Sequence, residues 1–206
     1  MRQLRTLGEL ISRLLSIWQT FLTMRHFQAK VARLFPVRQL ANLSKAQRQS
    51  LSLRLTQDAI LAVNFEKNPH VCDVQEATMC IVVLASDGQR GSISHLTTPA
   101  RCQEQQHKAS LFAWALQQYW GKSAAICLVG GTTGISELFI HSLAQELTAR
   151  EFTVSLESSH CDLGGCLIDR QATLEARRVR VERRCYRGPV DTVELQFPNL
   201  PPLAPN

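Results

Sequence analysis

The chain has 206 residues, with 45% hydrophobic and 19% charged side chains, and a formal net charge of +6. That composition excludes a disordered chain, and the length suits one ordinary domain with an appendage. The charge is unevenly placed. Residues 1–56 hold ten Lys/Arg and one acid, Glu9, for +9; residues 57–206 hold thirteen Lys/Arg and sixteen acids, for −3. The basic character belongs to the N-terminal segment, which favours acidic partners such as an anionic membrane surface, nucleic acid or an acidic protein face.

Residues 3–34 read as a helix. Leu4, Leu7, Ile11, Leu14, Trp18, Phe21, Leu22 and then Arg25 follow a three-four spacing with apolar side chains on one face, and Arg5, Arg13 and Arg25 carry the charge. Pro36 stops the pattern, since its ring leaves no N–H to continue a helix. The segment suits a membrane surface, a partner helix, or docking on its own domain, and its Arg-rich, acid-poor character is also that of organelle transit peptides. A second short helix is expected over residues 44–55. No short apolar core precedes a small-residue cleavage site, and no uncharged apolar run reaches the length of a membrane span. The seven cysteines, Cys72, Cys80, Cys102, Cys127, Cys161, Cys166 and Cys185, show no framework spacing. They read as free thiols in a reducing cytoplasm.

After Asn68-Pro69 the pattern changes. Residues 77–85 are a compact apolar and β-branched run, expected as a buried strand. The Asp87-Gly88 pair marks a turn, and residues 92–96 resume as a strand, so the two form a hairpin. A helix is expected over residues 104–120, a buried strand over 124–129, and a helix over 135–150. Strands follow over residues 152–156, 166–169 and 176–183, and the tail from Pro189 reads as irregular because of its prolines. The sequence therefore divides into a basic helical segment (1–56), an α+β domain (57–188) and a Pro-rich tail (189–206). The order of elements suits antiparallel sheets with flanking helices.

Three further patterns carry chemistry. Gly130-Gly131-Thr132-Thr133-Gly134 lies between a strand and a helix, where an anion could be cradled, but it lacks the Lys of a phosphate-binding loop. His160, Cys161 and Cys166, with His70 and Cys72, are of the type that ligates zinc, but not at a standard spacing. Arg177, Arg178, Arg180, Arg183 and Arg184 form a basic run without aromatic interleaving, which reads as a solvated strand face rather than a nucleic-acid surface.

Cys80, His95 with Pro99 four residues on, Gly130-Gly131, and Gly164-Gly165 after Asp162-Leu163 stand in an order and at separations that resemble the CheD family of chemoreceptor glutamine deamidases. The likeness covers residues 75 to 182, about half of the chain. It implies layered sheets with flanking helices, Cys80 as nucleophile, His95 as its base, no metal or organic cofactor, and a protein substrate bearing an exposed glutamine in a bacterial cytoplasm. The chain departs from the family pattern in three places. Thr78-Met79 replaces a Gly-Ser before the nucleophile. The fifteen-residue step from Cys80 to His95 is about two residues shorter than typical for the family, the loss falling in the hairpin loop. Val74 occupies the place of a third catalytic residue, a Thr; Thr78, Thr97 and Thr98 are its nearest replacements. The alternative implied by those departures is a catalytically inactive CheD-like interaction module.

Overall fold

A computed structural model of the protein describes residues 19–20, 22–42, 57–68, 70–72, 80–121, 124–132, 134–156, 168–185 and 190–197. The chain divides into two compact units, Met1–Leu34 and Phe35–Asn206. In the first, residues 22–34 are helical (α1), and Thr23 Oγ1 donates back to the Gln19 carbonyl at 2.9 Å. The N-terminal part of the helix expected over 3–34, and the whole of the one expected over 44–55, lie outside the described residues.

The second unit is α+β. Its strands are β1 (Val37–Gln39), β2 (Ile60–Asn64), β3 (His70–Cys72), β4 (Ile81–Ser86), β5 (Arg90–Leu96), β6 (Ala125–Gly130), β7 (Thr153–Leu156), β8 (Ile168–Glu175), β9 (Arg178–Cys185) and β10 (Val190–Gln196). Its helices are α2 (Cys102–Trp120) and α3 (Glu137–Ala149). One sheet has six strands in the order β1-β2-β5-β4-β6-β7, the other four in the order β10-β9-β8-β3.

Three expectations change. The larger sheet is mixed rather than antiparallel, because β1–β2 and β6–β7 pair in parallel. The second of these follows from connectivity: α3 carries the chain back across the sheet, and a helical crossover brings the next strand in parallel. The unit reaches back before residue 57, since β1 lies in the same sheet. The tail is not irregular throughout: Val190–Gln196 pairs antiparallel along β9, with Val193 and Leu195 turned inward at every second position.

β4 and β6 are apolar at nearly every position because both of their faces are covered; all six residues of each are buried. On one face, Leu61, Val82, Leu84 and Ile93 share a cluster with Ala172, Leu174, Val179 and Val181 of the smaller sheet. On the other face, Trp120 Nε1 of α2 donates to Ser92 Oγ at 3.0 Å, and α2 and α3 bury Phe112, Leu116, Phe139 and Leu143. The unit is thus three layers: helices, the six-stranded sheet, and the four-stranded sheet. Each fully buried aliphatic side chain contributes about 1.5–3 kcal/mol.

The two sheets approach most closely at Gly91. A Cβ placed there would lie 2.5 Å from the Phe65 ring and 2.9 Å from Leu174 Cδ2. Nearby, the hairpin turn is held by Asp87. Its carboxylate accepts the backbone N–H groups of Gln89 (3.0 Å) and Arg90 (2.7 Å) and pairs with the Arg90 guanidinium at 2.8 Å. Burial alone would push the Asp87 carboxyl up, but these three interactions outweigh it and hold the group below its ordinary value.

Candidate functional site

The hairpin β4–β5 positions Cys80 and His95. Its ladder pairs Ile81 with Leu96 and Val82 with His95. Cys80, next in line, extends β4 by one residue: its carbonyl accepts the N–H of Gly131 at 3.0 Å, one step beyond the Ile81–Gly130 pair. Continuing the register puts Thr97, not His95, directly opposite Cys80.

The reason lies in the turn. Pairing Cys80 with His95 requires Asp87 and Gly88 as the two central turn residues. In the structure Ser86 pairs with Gly91, and the Asp87 N–H donates to the Arg90 carbonyl at 3.2 Å, so Gly88 and Gln89 are central. A one-residue shift of the turn's centre moves the pairing by two residues. Alternation still places Cys80, Val82 and Leu84 on one face, the face that His95 shares with Ile93 and Gly91. Cys80 and His95 are therefore diagonal neighbours, with backbone positions roughly 7–8 Å apart and side chains on one side of the sheet.

That side faces the smaller sheet. His95 is 1% exposed and Cys80 is half-buried. A third residue, Arg170 on β8, is also 1% exposed, and its Nη1 donates to the Gly131 carbonyl at 3.4 Å. Arg170 alternates with Ala172 and Leu174, so it points into the same interlayer. Leu174 lies against Gly91. Moving four residues along each strand from that contact leads to His95 on β5 and Arg170 on β8, about 13 Å away. Gly131 ties the two features together, its N–H held by Cys80 and its carbonyl by Arg170. One end of the interlayer thus gathers a thiol, an imidazole and a guanidinium.

Sequence reasoning passed over Arg170. Its signal was the run Arg170, Ala172, Leu174 at alternate positions, which marks a buried face carrying one charge. Charged residues are almost never fully buried without partners, so a buried arginine bonded to Gly131, the residue whose N–H the Cys80 carbonyl accepts, is the most distinctive feature of the site.

The consecutive glycines of β6's end serve this geometry. Gly130 and Gly131 have φ of 99° and 92°, values that side-chain-bearing residues rarely adopt. A Cβ on Gly131 would also lie 3.1 Å from Ile81 Cδ1 and 3.3 Å from Ser136 Oγ. The glycines let β6 lie close against Cys80.

Thr97 and Thr98 follow the hairpin. The Thr97 hydroxyl donates to Asp58 Oδ2 at 2.9 Å, and Lys108 Nζ donates to Thr97 Oγ1 at 2.7 Å and pairs with Asp58 at 2.6 Å. Its hydroxyl is thereby committed to a local ion pair. The segments leaving the two neighbours of Cys80, 98–100 after Thr97 and 134–138 after Gly131, form walls of an open cleft of about 750 Å³. Thr98, Cys102, Glu137 and His141 supply its polar lining, and Ile135 and Leu138 its exposed apolar lining. At its base the Gln105 amide donates to the carbonyls of Pro99 (2.8 Å) and Ile135 (3.0 Å), tying the two walls together.

Val74, Thr78, His160, Cys161, Cys166 and Gly164-Gly165 lie outside the described residues. His70 and Cys72 fall on β3 at the edge of the smaller sheet, which pairs with β8. The basic run on β9 is matched by acids on neighbouring strands: Arg178 pairs with Glu175 (2.6 Å) and Glu194 (3.3 Å), and Arg183 with Asp191. Among the described residues, no helix is long and apolar enough to cross a membrane. Compared with known protein families, with curated proteins and with solved structures, the chain matches none.

Proposed function

We propose that the second unit is a protein-glutamine deamidase of the CheD type, acting through Cys80 and His95. The observation that carries the reading is the gathering of Cys80, His95 and buried Arg170 at one end of the interlayer, at positions the CheD-like motif singles out for the first two. The layered arrangement and the glycine pair beside Cys80 also support it.

The chemistry is acyl transfer to water. A thiol is a weak nucleophile until it ionises, and a nearby cation favours the thiolate. Arg170 supplies a permanent positive charge on that side, and its role is to position and hold charge rather than to touch substrate. The Cys80 thiolate attacks the side-chain carbonyl carbon of a glutamine, forming a carbon–sulfur bond. The imidazolium of His95 gives its proton to the departing nitrogen, and ammonia leaves. The neutral imidazole then takes a proton from water, whose oxygen attacks the thioester. The carbon–sulfur bond breaks, glutamate is released, and the thiolate is restored.

The test is Cys80→Ala, with His95→Ala as its companion, incubated with the signalling domain of a bacterial chemoreceptor. Peptide mass analysis reads the conversion of glutamine to glutamate. Conversion by the unaltered protein that disappears in both variants, with folding retained, supports the reading.

A second reading has its own observation. His95 stands opposite Val82 rather than Cys80, and Val74 occupies the place of the family's threonine. These departures favour an inactive CheD-like module that binds a partner. Its signature is unchanged partner binding and biological effect in Cys80→Ala and His95→Ala.

A further inference from the structure

We infer that Arg170 and Arg183 form a carboxylate-binding site at the polar end of the smaller sheet's inner face, and that its ligand is an acidic side chain of a polypeptide. The register of the sheet builds the site. Three rows of residues cross β8, β9 and β10: Leu174–Val179–Leu195, Ala172–Val181–Val193 and Arg170–Arg183–Asp191. Alternation puts all three rows on one face. Leu174, Ala172, Val179 and Val181 belong to the buried cluster between the sheets, so that face is the inner one. Two rows are apolar. The third sets two arginines directly opposite each other, with Cβ positions about 5 Å apart. Like charges so placed repel, and burial raises the cost. Arg170 is 1% exposed, while the side chains of Arg183 and Asp191 are 22% and 59% exposed. The row therefore runs from the interlayer out to solvent.

The chemistry of the pair names the ligand. A guanidinium presents a planar fork of N–H donors that matches a carboxylate. The sheet holds an example, since Asp191 pairs with Arg183. Asp191 does so from an exposed position, so an incoming carboxylate exchanges with it and leaves no acid buried and unpaired. Arg170 donates to the Gly131 carbonyl at 3.4 Å, and the Cys80 carbonyl accepts the Gly131 N–H. The inner end of the row thus adjoins the backbone beside Cys80. Residues 57–206 carry a net −3, so attraction for an acid needs a local source. One step rests on the deamidase reading: the acid recognised here lies near the glutamine that Cys80 attacks.

The experiment titrates the full chain with N-acetyl-Ala-Glu-Ala amide, and with its γ-methyl ester as the neutral control, in a calorimeter. Neither peptide holds a glutamine, so binding is read apart from turnover. The acid is expected to bind about tenfold more tightly than the ester. Arg183→Gln removes that preference with the thermal transition retained. Asp191→Asn, at an exposed position, withdraws the competing carboxylate and tightens the acid by about threefold. Arg180→Gln, on the exposed outer face of the same strand, leaves the preference as it is. Equal affinity for the two peptides, no binding of either, or a preference that survives Arg183→Gln overturns the inference. So does weaker binding in Asp191→Asn, an equal loss in Arg180→Gln, or inorganic phosphate bound through Arg183 while the peptide is not. A preference that holds while no chemoreceptor glutamine is converted overturns the deamidase reading and leaves this site standing.

Discussion

The two ends of the space between the sheets are built from opposite materials. At one end Gly91, Phe65 and Leu174 meet in contact so close that Gly91 has no room for a side chain. At the other, about 13 Å along the same strands, His95 and Arg170 are buried, and Arg170 bonds the carbonyl of Gly131, whose N–H the carbonyl of half-buried Cys80 accepts. The first end is what a fold needs. The second is costly to keep, because buried charge must be compensated. A layer that is apolar for most of its length and polar at one place has concentrated that cost at one end.

The largest expected effect breaks the apolar end. Leu174→Ala removes a fully buried side chain and destabilises the protein by about 3–4 kcal/mol in urea unfolding, while the alkylation rate of Cys80 in the remaining folded protein stays the same. Arg170→Met shows the opposite signature. If Arg170 assists Cys80 as proposed, alkylation of Cys80 by iodoacetamide near neutral pH falls by about tenfold. Its loss of stability is smaller than that of Leu174→Ala. Lys108→Met, which opens the ion pair with Asp58 and its bonds to Thr97, costs about 1–2 kcal/mol and shows whether the segment after His95 must be held for the site to work.

The smallest effect is at the turn. Asp87→Asn costs under about 1 kcal/mol at neutral pH. Because the Asp87 carboxyl lies below its ordinary value of 3.8 in the folded protein, its contribution is present above that value. It is lost as pH falls through the lower folded value. Acid unfolding curves of the two proteins therefore converge at low pH and separate as pH rises.

The pattern of the sequence made the central elements legible. The hairpin, both helices of the second unit and β6 announce themselves by apolar runs, a turn pair and three-four spacing. β2 was also readable, since Ala59 to Val63 is an unbroken apolar run, but it is short and has no turn signal before it. β10 was hidden by the prolines beyond it, which drew attention from the alternation of Val193 and Leu195. The site was legible in part. Cys80 and His95 stand in a recognisable order, but hairpin register depends on which two residues the turn uses, and Asp-Gly pairs favour more than one turn. Arg170 stands among a basic series on β8 and β9 whose other members are exposed or half-buried; only its register with Ala172 and Leu174 separates it.

The central proposal is that His95 and Arg170, at the polar end of the interlayer, assist Cys80. It is tested most directly by the iodoacetamide rate of Cys80 in the unaltered protein and in Arg170→Met, read by peptide mass analysis with Cys102 in the same molecules as control. Cys102 is exposed at the start of α2 and reports any general change in the protein. The account predicts a drop of about tenfold at Cys80 and none at Cys102. Equal rates at Cys80 in the two proteins would contradict it.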